Sequence, residues 1–353
     1  MKTLKLRLKN RHNPVLTQWS RDVNLVWNYV NNLSKTHTKR TRKFLSAFDC
    51  HQYLSGAAKE LSIGSQTIQS ITEELVTRRK QFKKIKLNWR VSNQKSPKRS
   101  LGWVPFKKAG IKIEKGQVTF QKRTFQLWDS FDLSKYPQPK CGSFSQDARG
   151  RWYISLVVDI KEPKVLGRGS VGIDLGLKDV AVCSDGFKVE NPRLVAKYAD
   201  KLAMAQRAHK KHLVRNIHAK VKNRRQDALQ KASTKIVKNN LLVVVGNLKA
   251  STLVKTKMAK STLDAGFSAF KTMLRYKCEY AGALFIEVNE YLTTQTCSSC
   301  GTLPDSRPKG IASLGIREWK CSNCGTLHDR DINAAINILA LGHGRLAEGI
   351  LSL

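Results

Sequence analysis

The chain is short of acid. Against 64 Lys and Arg it has only 26 Asp and Glu, a formal net charge of +38 over 353 residues. The excess is spread along the chain rather than held in a tail, and its natural counterpart is a long phosphate backbone. Also lacking is any run of 18 or more apolar residues, which excludes a helix spanning a bilayer. The opening MKTLKLRLKN carries no signal-peptide core, so an intracellular protein with no membrane partner is expected. Disorder is excluded by a hydrophobic fraction of 41%, and the length suffices for two or three domains with cores of their own. Of the eight cysteines, Cys50, Cys141, Cys183 and Cys278 follow no pattern and read as buried, reduced and inert.

The other four do follow one. Cys297/Cys300 and Cys321/Cys324 are two Cys-x-x-Cys pairs separated by residues 301–320, the spacing of a four-cysteine zinc site. Four thiolates suit tetrahedral Zn2+ and leave no position open for substrate, so the ion is structural. Gly301 and Gly325 follow the pairs and permit the tight turns that bring backbone amides toward the sulfurs. Just beyond, Asp329 and Asp331 precede a helical INAAINIL run, where an acid can be a helix cap.

Along the chain, KTLKLRL (2–8) alternates as a half-buried strand does. From about Asn13 to Lys86 apolar residues recur at three and four, giving a small basic helical lobe. Leu87 to Ile160 returns to short alternating runs, read as a compact antiparallel sheet or barrel that the first strand completes. Trp89, Trp103, Phe106, Trp128 and Trp152 lie among basic residues there, open to base stacking or, the preferred reading, to core packing. Residues 163–170 form a boundary loop. VGIDLGLKDVAVC (171–183) is a hairpin with Asp174 in a core strand, a position costly for an acid unless it is paired or metal-bound. Residues 191–239 are helical and densely basic, with Lys210, Lys211, Arg215, Lys220, Arg224 and Arg225 as phosphate contacts. LLVVVGNL (241–248) is a buried strand, AKSTLDAGFSAFKTMLRYK (259–277) an amphipathic helix, and ALFIEVNE (283–290) a further strand. This order is compatible with an RNase H-like sheet.

GIDLGLKD (172–179), TTQTCSSCG (293–301) and HDRDINAAINIL (328–339) together resemble the TnpB family, RNA-guided nucleases of small insertion sequences related to type V CRISPR effectors. The resemblance covers about residues 170–342. It implies an α/β multidomain protein: a wedge β-barrel (1–12 and 87–165), a helical recognition lobe (13–86), a split RuvC nuclease domain (166–290 and 329–353) and a zinc-ribbon target-nucleic-acid-binding insertion (291–328). It further implies an RNA-guided, Mg2+-dependent DNA endonuclease that cuts beside a short adjacent motif. Its partners would be a guide RNA and target double-stranded DNA, with a monomer in a prokaryotic cytoplasm, associated with the nucleoid. Motif by motif, Asp174 matches the first RuvC carboxylate and Asp331 the last.

The middle carboxylate departs from the pattern. Most of the family has Glu where this chain has Gly246, and glycine holds no metal. In one reading the carboxylate has moved to Glu290, or alternatively Glu287, an arrangement that resembles the Fanzor proteins; two Mg2+ ions would then be held by Asp174, Glu290 and Asp331. In the other the protein is a nuclease-dead, RNA-guided DNA binder. Asp329 is read as a helper or a helix cap, and Arg330 as a phosphate contact or a charge balance between two acids.

Overall fold

KTLKLRL forms strand β1 (Lys2–Leu8), with Leu4, Leu6 and Leu8 buried and the residues between them turned outward, as a period of two requires. In the computed structural model the described residues are 1–114, 116–159, 167–248, 259–309 and 312–351. They divide between two units, Met1–Lys161 and Glu162–Leu353. The boundary loop expected at 163–170 lies outside the described residues up to 166.

In the first unit, α1 (Asn13–Thr41) opens on Pro14 and buries Leu16, Trp19, Val23, Val26, Trp27 and Val30 along one stripe. Then come α2 (Ala47–Gln52), started by a Ser46/Asp49 capping box, α3 (Ala57–Glu60) and α4 (Ser65–Phe82). The alternation from Leu87 does not produce a strand at once, and residues 83–102 contain none. Side-chain amides of α1 take the place of a neighbouring strand. Asn31 exchanges two hydrogen bonds with the Leu87 backbone, and Asn28 two with that of Arg90, so those backbone groups are satisfied without a ladder.

Seven further strands follow: β2 (Trp103–Lys107), β3 (Ile111–Glu114), β4 (Gln117–Phe120), β5 (Arg123–Phe125), β6 (Leu127–Trp128), β7 (Cys141–Gln146) and β8 (Trp152–Val158). They make antiparallel sheets in the orders β2-β7-β8-β1-β6 and β3-β4-β5. Phe106, Phe120, Phe125 and Phe144 cluster with Trp19 between helices and sheets. Of the five aromatics singled out in sequence, Phe106 and Trp152 are core and Trp103 packs on Trp27, whereas Trp89 and Trp128 are 40% and 55% exposed.

The second unit is built on β9 (Gly169–Asp174), β10 (Asp179–Cys183), β11 (Lys188–Glu190), β12 (Asn240–Gly246) and β13 (Leu284–Val288). Their order is β11-β10-β9-β12-β13, with the first three antiparallel and β12 parallel to both β9 and β13. The basic stretch is divided into α5 (Leu194–Lys197), α6 (Ala199–Arg207) and α7 (Lys211–Asn239), with Arg193 and His209 at φ 41° and 51°. The single helix expected over 259–277 is two, α8 (Ala259–Ala265) and α9 (Phe267–Ala281), because Gly266 turns the chain at φ 73°. Leu229, Ile236, Phe267, Phe270 and Leu274 from α7 and α9 pack against Val171, Ile173, Val243 and Val245 of the sheet.

After β14 (Glu318–Lys320) and β15 (Leu327–Asp329), the last helix α10 (Arg330–Leu351) returns across the sheet, where its Ile338 packs with Leu242, Val244 and Val288. It approaches very closely: a Cβ on Gly172 would meet the Ala335 carbonyl at 2.0 Å. Among the described residues no helix is long and apolar enough to cross a membrane.

Candidate active site

Asp174 ends β9, opposite Val182 of β10. Its carboxyl is pushed up to about 8 by burial first, and then by the charges of Glu290 and Asp331, with Arg330 and the Leu175 N–H acting in the other direction. The two acids that raise it come from distant parts of the chain. Gly172 sets how closely α10 can lie on β9, and so brings the first turn of α10, with Asp331, to the end of the strand that carries Asp174.

Glu290 lies two residues beyond β13. Burial raises its carboxyl, opposed by the charge of Lys271 and the Leu248 N–H. Its Oε2 is buried without a hydrogen-bond partner, a costly condition for a carboxylate oxygen that a cation would relieve. Gly246 ends β12, where the Asn247 N–H donates to the Val288 carbonyl at 2.8 Å. A Cβ at Gly246 would lie 2.5 Å from Glu290 Oε2 and 3.3 Å from Glu290 Cβ. Glu290 therefore fills the space that any side chain at 246 would need.

Glu287 is engaged elsewhere. It pairs with Val245 in the β12–β13 ladder and forms ion pairs with Lys271, at 3.0 Å, and Arg275, both on α9. Burial alone would raise its carboxyl, but these two cations overcome that and hold it low.

The acids around Asp331 have separate duties. Asp329 Oδ1 accepts from the N–H groups of Asp331 and Ile332 at 2.9 and 3.1 Å, so it caps α10, while its Oδ2 pairs with Lys188 at 3.1 Å. Asp331 is gripped through both oxygens by Arg317 Nη1, at 3.1 and 3.0 Å. Arg330 is buried and donates to the Ser313 carbonyl at 2.6 Å, with its backbone N–H on the Arg317 carbonyl at 2.7 Å. Its side chain braces the turn before β14. Arg317 also lines a cavity of about 670 Å3 together with Leu177, Lys178, Arg193, Lys260 and Asp264.

The four cysteines of the paired motif converge, their sulfurs all within 4.8 Å of one another. Cys297 and Cys324 are 3.6 Å apart, Cys300 and Cys321 3.8 Å. Four sulfurs at about 2.3 Å from a tetrahedral ion stand about 3.8 Å apart, so this donor set fits Zn2+. The two knuckles are built alike. In each, the glycine N–H returns to the first cysteine's carbonyl at 2.9 Å, with Gly301 and Gly325 at φ 74° and 76°. Burial pushes the Cys297 thiol up to about 11, while the hydroxyl and N–H of Thr326 bring Cys324 down to about 6, toward the thiolate that a metal takes. His328 Nε2 lies 3.0 Å from Cys297 Sγ, its ring against Trp319.

Two asparagines of α10 tie this cluster to the acids. Asn333 and Asn337 both donate to the carbonyls of Thr293 and Thr296, and Asn333 accepts from the Ser298 N–H. The segment from Glu290 to the first knuckle is thus fastened to the helix that carries Asp331. Sequence reasoning passed over these residues, although Asn333 and Asn337 are a helical i, i+4 pair. It passed over Arg317 and Lys271 as well, which look like two more cations in a chain full of them. Of the proposed phosphate contacts, Arg224 donates to Tyr198 Oη at 2.6 Å and Arg225 pairs with Asp264 at 2.9 Å; Lys210, Lys211, Arg215, Lys220 and Arg224 are exposed.

Two family models match the chain: OrfB_IS605, described as "Probable transposase", over residues 153–257, and the "Cas12f1-like, TNB domain" over 267–338. A "Putative RNA-guided DNA endonuclease" of Streptomyces pristinaespiralis is 34% identical over 70% of this chain and 64% of its own length. "Putative RNA-guided DNA endonuclease InsQ" of Escherichia coli K12 is 29% identical over 57% of this chain and 56% of its own. This chain therefore matches less than two thirds of the length of either relative. A solved structure titled "Cryo-EM structure of the Cas12f1-sgRNA-target DNA complex" aligns with 96% of this chain and 98% of its own, at 19% identity and a TM-score of 0.39. The chain thus carries an OrfB-type segment followed by a Cas12f1-like TNB segment.

Proposed function

We propose that the protein is an RNA-guided DNA endonuclease whose catalytic carboxylates are Asp174, Glu290 and Asp331. The observation that carries this reading is the convergence of Glu290, seated over Gly246, with Asp331 on a buried Asp174. Asp174, raised by the charges of Glu290 and Asp331, together with a Glu290 oxygen that is buried and orphaned, makes a donor set suited to Mg2+. Two ions bound there would supply Lewis-acid stabilisation of the phosphate and an acidified water.

The chain's own residues do the rest. The Leu248 N–H holds Glu290, and the charge of Lys271 favours its ionised form. Arg317, which pairs with Asp331 at 3.0 Å and lines the cavity, would hold a phosphate there. Lys178, Arg193 and Lys260 line the same cavity and would hold the strand on either side. Lys210, Lys211, Arg215 and Lys220, all exposed, would offer further phosphate contacts. The paired cysteines would hold one structural Zn2+, which the Asn333 and Asn337 tethers link to both ends of the acid site.

In this assignment the five-stranded sheet with α10 is the split RuvC domain (166–290 and 329–353), carrying the zinc ribbon (291–328). The first unit provides the wedge (1–12 and 87–165) and the helical lobe (13–86). Base pairing with a guide RNA would supply sequence specificity. The nuclease-dead alternative is disfavoured because the volume vacated at position 246 is filled by a carboxylate rather than by an apolar side chain. The test is cleavage, by protein purified with its co-expressed RNA, of a plasmid carrying a matched target beside a randomised flank in Mg2+. Cutting by the wild type that Asp174→Ala abolishes is expected. Target binding without cutting by the wild type would make the protein a guided binder.

A further inference from the structure

On the outer face of the first unit's large sheet, three side chains stand abreast. Arg7 of β1 is directly opposite Trp128 of β6 on one side and Tyr153 of β8 on the other, and residues paired in this way project from the same face. Their neighbours Leu6, Leu8, Trp152 and Ile154 point into the core. Two lysines lie over the rings, Lys9 Nζ 3.5 Å from the Trp128 centroid and Lys5 Nζ 5.0 Å from that of Tyr153. Asp147, which the Tyr153 hydroxyl reaches at 3.5 Å, is itself held at 2.8 Å by Arg149 and by two backbone N–H groups.

Two features call for an occupant. Trp128 is 55% exposed, whereas Trp19, Trp27 and Trp152 of the same unit are buried. Arg7 Nε is shut off from solvent with no hydrogen-bond partner, although Nη2 reaches Asn10 Oδ1 at 3.4 Å. An aromatic plane beside an unspent guanidinium donor, with flexible ammonium groups at its margin, matches a nucleobase with its flanking phosphates.

We propose that Arg7, Trp128 and Tyr153, flanked by Lys5 and Lys9, form a platform on which an unpaired RNA base stacks. The base covers the indole, Arg7 donates to its edge, and the lysines move outward to the neighbouring phosphates. Duplex DNA hides its base faces, whereas folded RNA presents them in loops and bulges. The platform lies wholly in the first unit and uses none of the carboxylates, so it is independent of the nuclease reading.

The test uses the full chain carrying Asp174→Asn, with fluorescence anisotropy of a short labelled oligouridine. Trp128→Ala should weaken binding about 10-fold, the loss of one stacked base, and Trp128→Phe should retain most of the affinity. Phe48→Ala, which removes an aromatic side chain 73% exposed elsewhere on the unit, should change nothing. Lys9→Gln should lower the slope of log affinity against log salt by roughly 0.7, one phosphate contact on a single strand. Because Trp128 is surface-exposed, an unaltered melting temperature is expected and shows that the variant is folded. Wild-type affinity in Trp128→Ala would overturn the proposal. So would an oligodeoxyuridine that binds as tightly and with the same dependence on Trp128, since the face would then serve any single strand.

Discussion

Glu290 and Gly246 share one volume: the Oε2 of the glutamate lies 2.5 Å from where a Cβ on the glycine would stand. A strand-end glycine and an acid 44 positions later in the chain are thereby a single structural feature, since the carboxylate reaches the site only because the strand end is bare. At so short a distance something must shift, and the other near neighbour, Ile338 Cδ1 at 3.2 Å, belongs to the packed core of α10. Gly246→Ala should therefore displace Glu290 and reduce target cleavage about 100-fold, as small misplacements of a catalytic group do. In a Glu290→Ala background the same change should cost no further activity, which plasmid cleavage rates of the single and double variants will show.

The acid cluster is held together against its own repulsion. With its carboxyl pushed up to about 8 beside Glu290 and Asp331, Asp174 must take up a proton on folding at neutral pH; Asp174→Asn removes that cost and should raise the melting temperature of the metal-free protein. Mg2+ should stabilise the wild type, by about 2.7 kcal/mol at 100 times its Kd, and should leave Asp174→Asn nearly unchanged. Calorimetry with and without Mg2+ measures both.

The cysteine cluster should carry one zinc per chain, as metal analysis of the purified protein would show. Cys321→Ser removes a buried ligand and should abolish zinc retention. Because the knuckles are tied to α10 through Asn333 and Asn337, it should also lower cleavage, in contrast to Cys141→Ser, whose thiol lies outside the cluster and, unlike those of Cys50, Cys183 and Cys278, is exposed rather than buried as its sequence suggested.

A pH dependence follows from Lys277 on α9. Burial lowers its pKa to about 8, and its ammonium donates to the Gln230 carbonyl and the hydroxyls of Ser233 and Thr234 on α7. The folded-state value lies below the ordinary 10.5, so between these two pH values the unfolded chain binds more protons than the folded one. Stability contributed at this site therefore rises with pH from about 8 to 10.5. Below that window the full cost of burying the charge is present. Lys277→Met should remove this rise, seen as a wild-type minus variant difference in urea midpoints across the window.

How much of this was legible in the sequence depends on how locally each feature is specified. The cysteine knuckles are local: spacing and a following glycine suffice, and the four sulfurs meet. Alternation in β1 and the three-four spacing of α1 are local as well. The stretch after Leu87 misled because its alternating residues are satisfied by Asn28 and Asn31, more than fifty residues upstream. The break at Gly266 was written in a glycine that a helical pattern tolerates on paper. Between Glu287 and Glu290 no period decides. Lys271 and Arg275 occupy the first, and Gly246 makes room for the second, and all three are distant in the chain. Arg317 was invisible for a different reason: among 64 basic residues nothing but the third dimension distinguishes the one that grips Asp331.

The central claim is that Glu290 supplies the carboxylate that position 246 lacks. Its most direct test is the rate of Mg2+-dependent target cleavage in Glu290→Ala, Glu287→Ala and the exchange variant Gly246→Glu/Glu290→Gly. Glu290→Ala should lose more than about 100-fold, beyond the range typical of supporting residues around a metal. Glu287→Ala should stay within about 10-fold of wild type, the lower end of that supporting range, and the exchange variant should recover much of the loss. Full activity in Glu290→Ala, with loss in Glu287→Ala, would contradict the account.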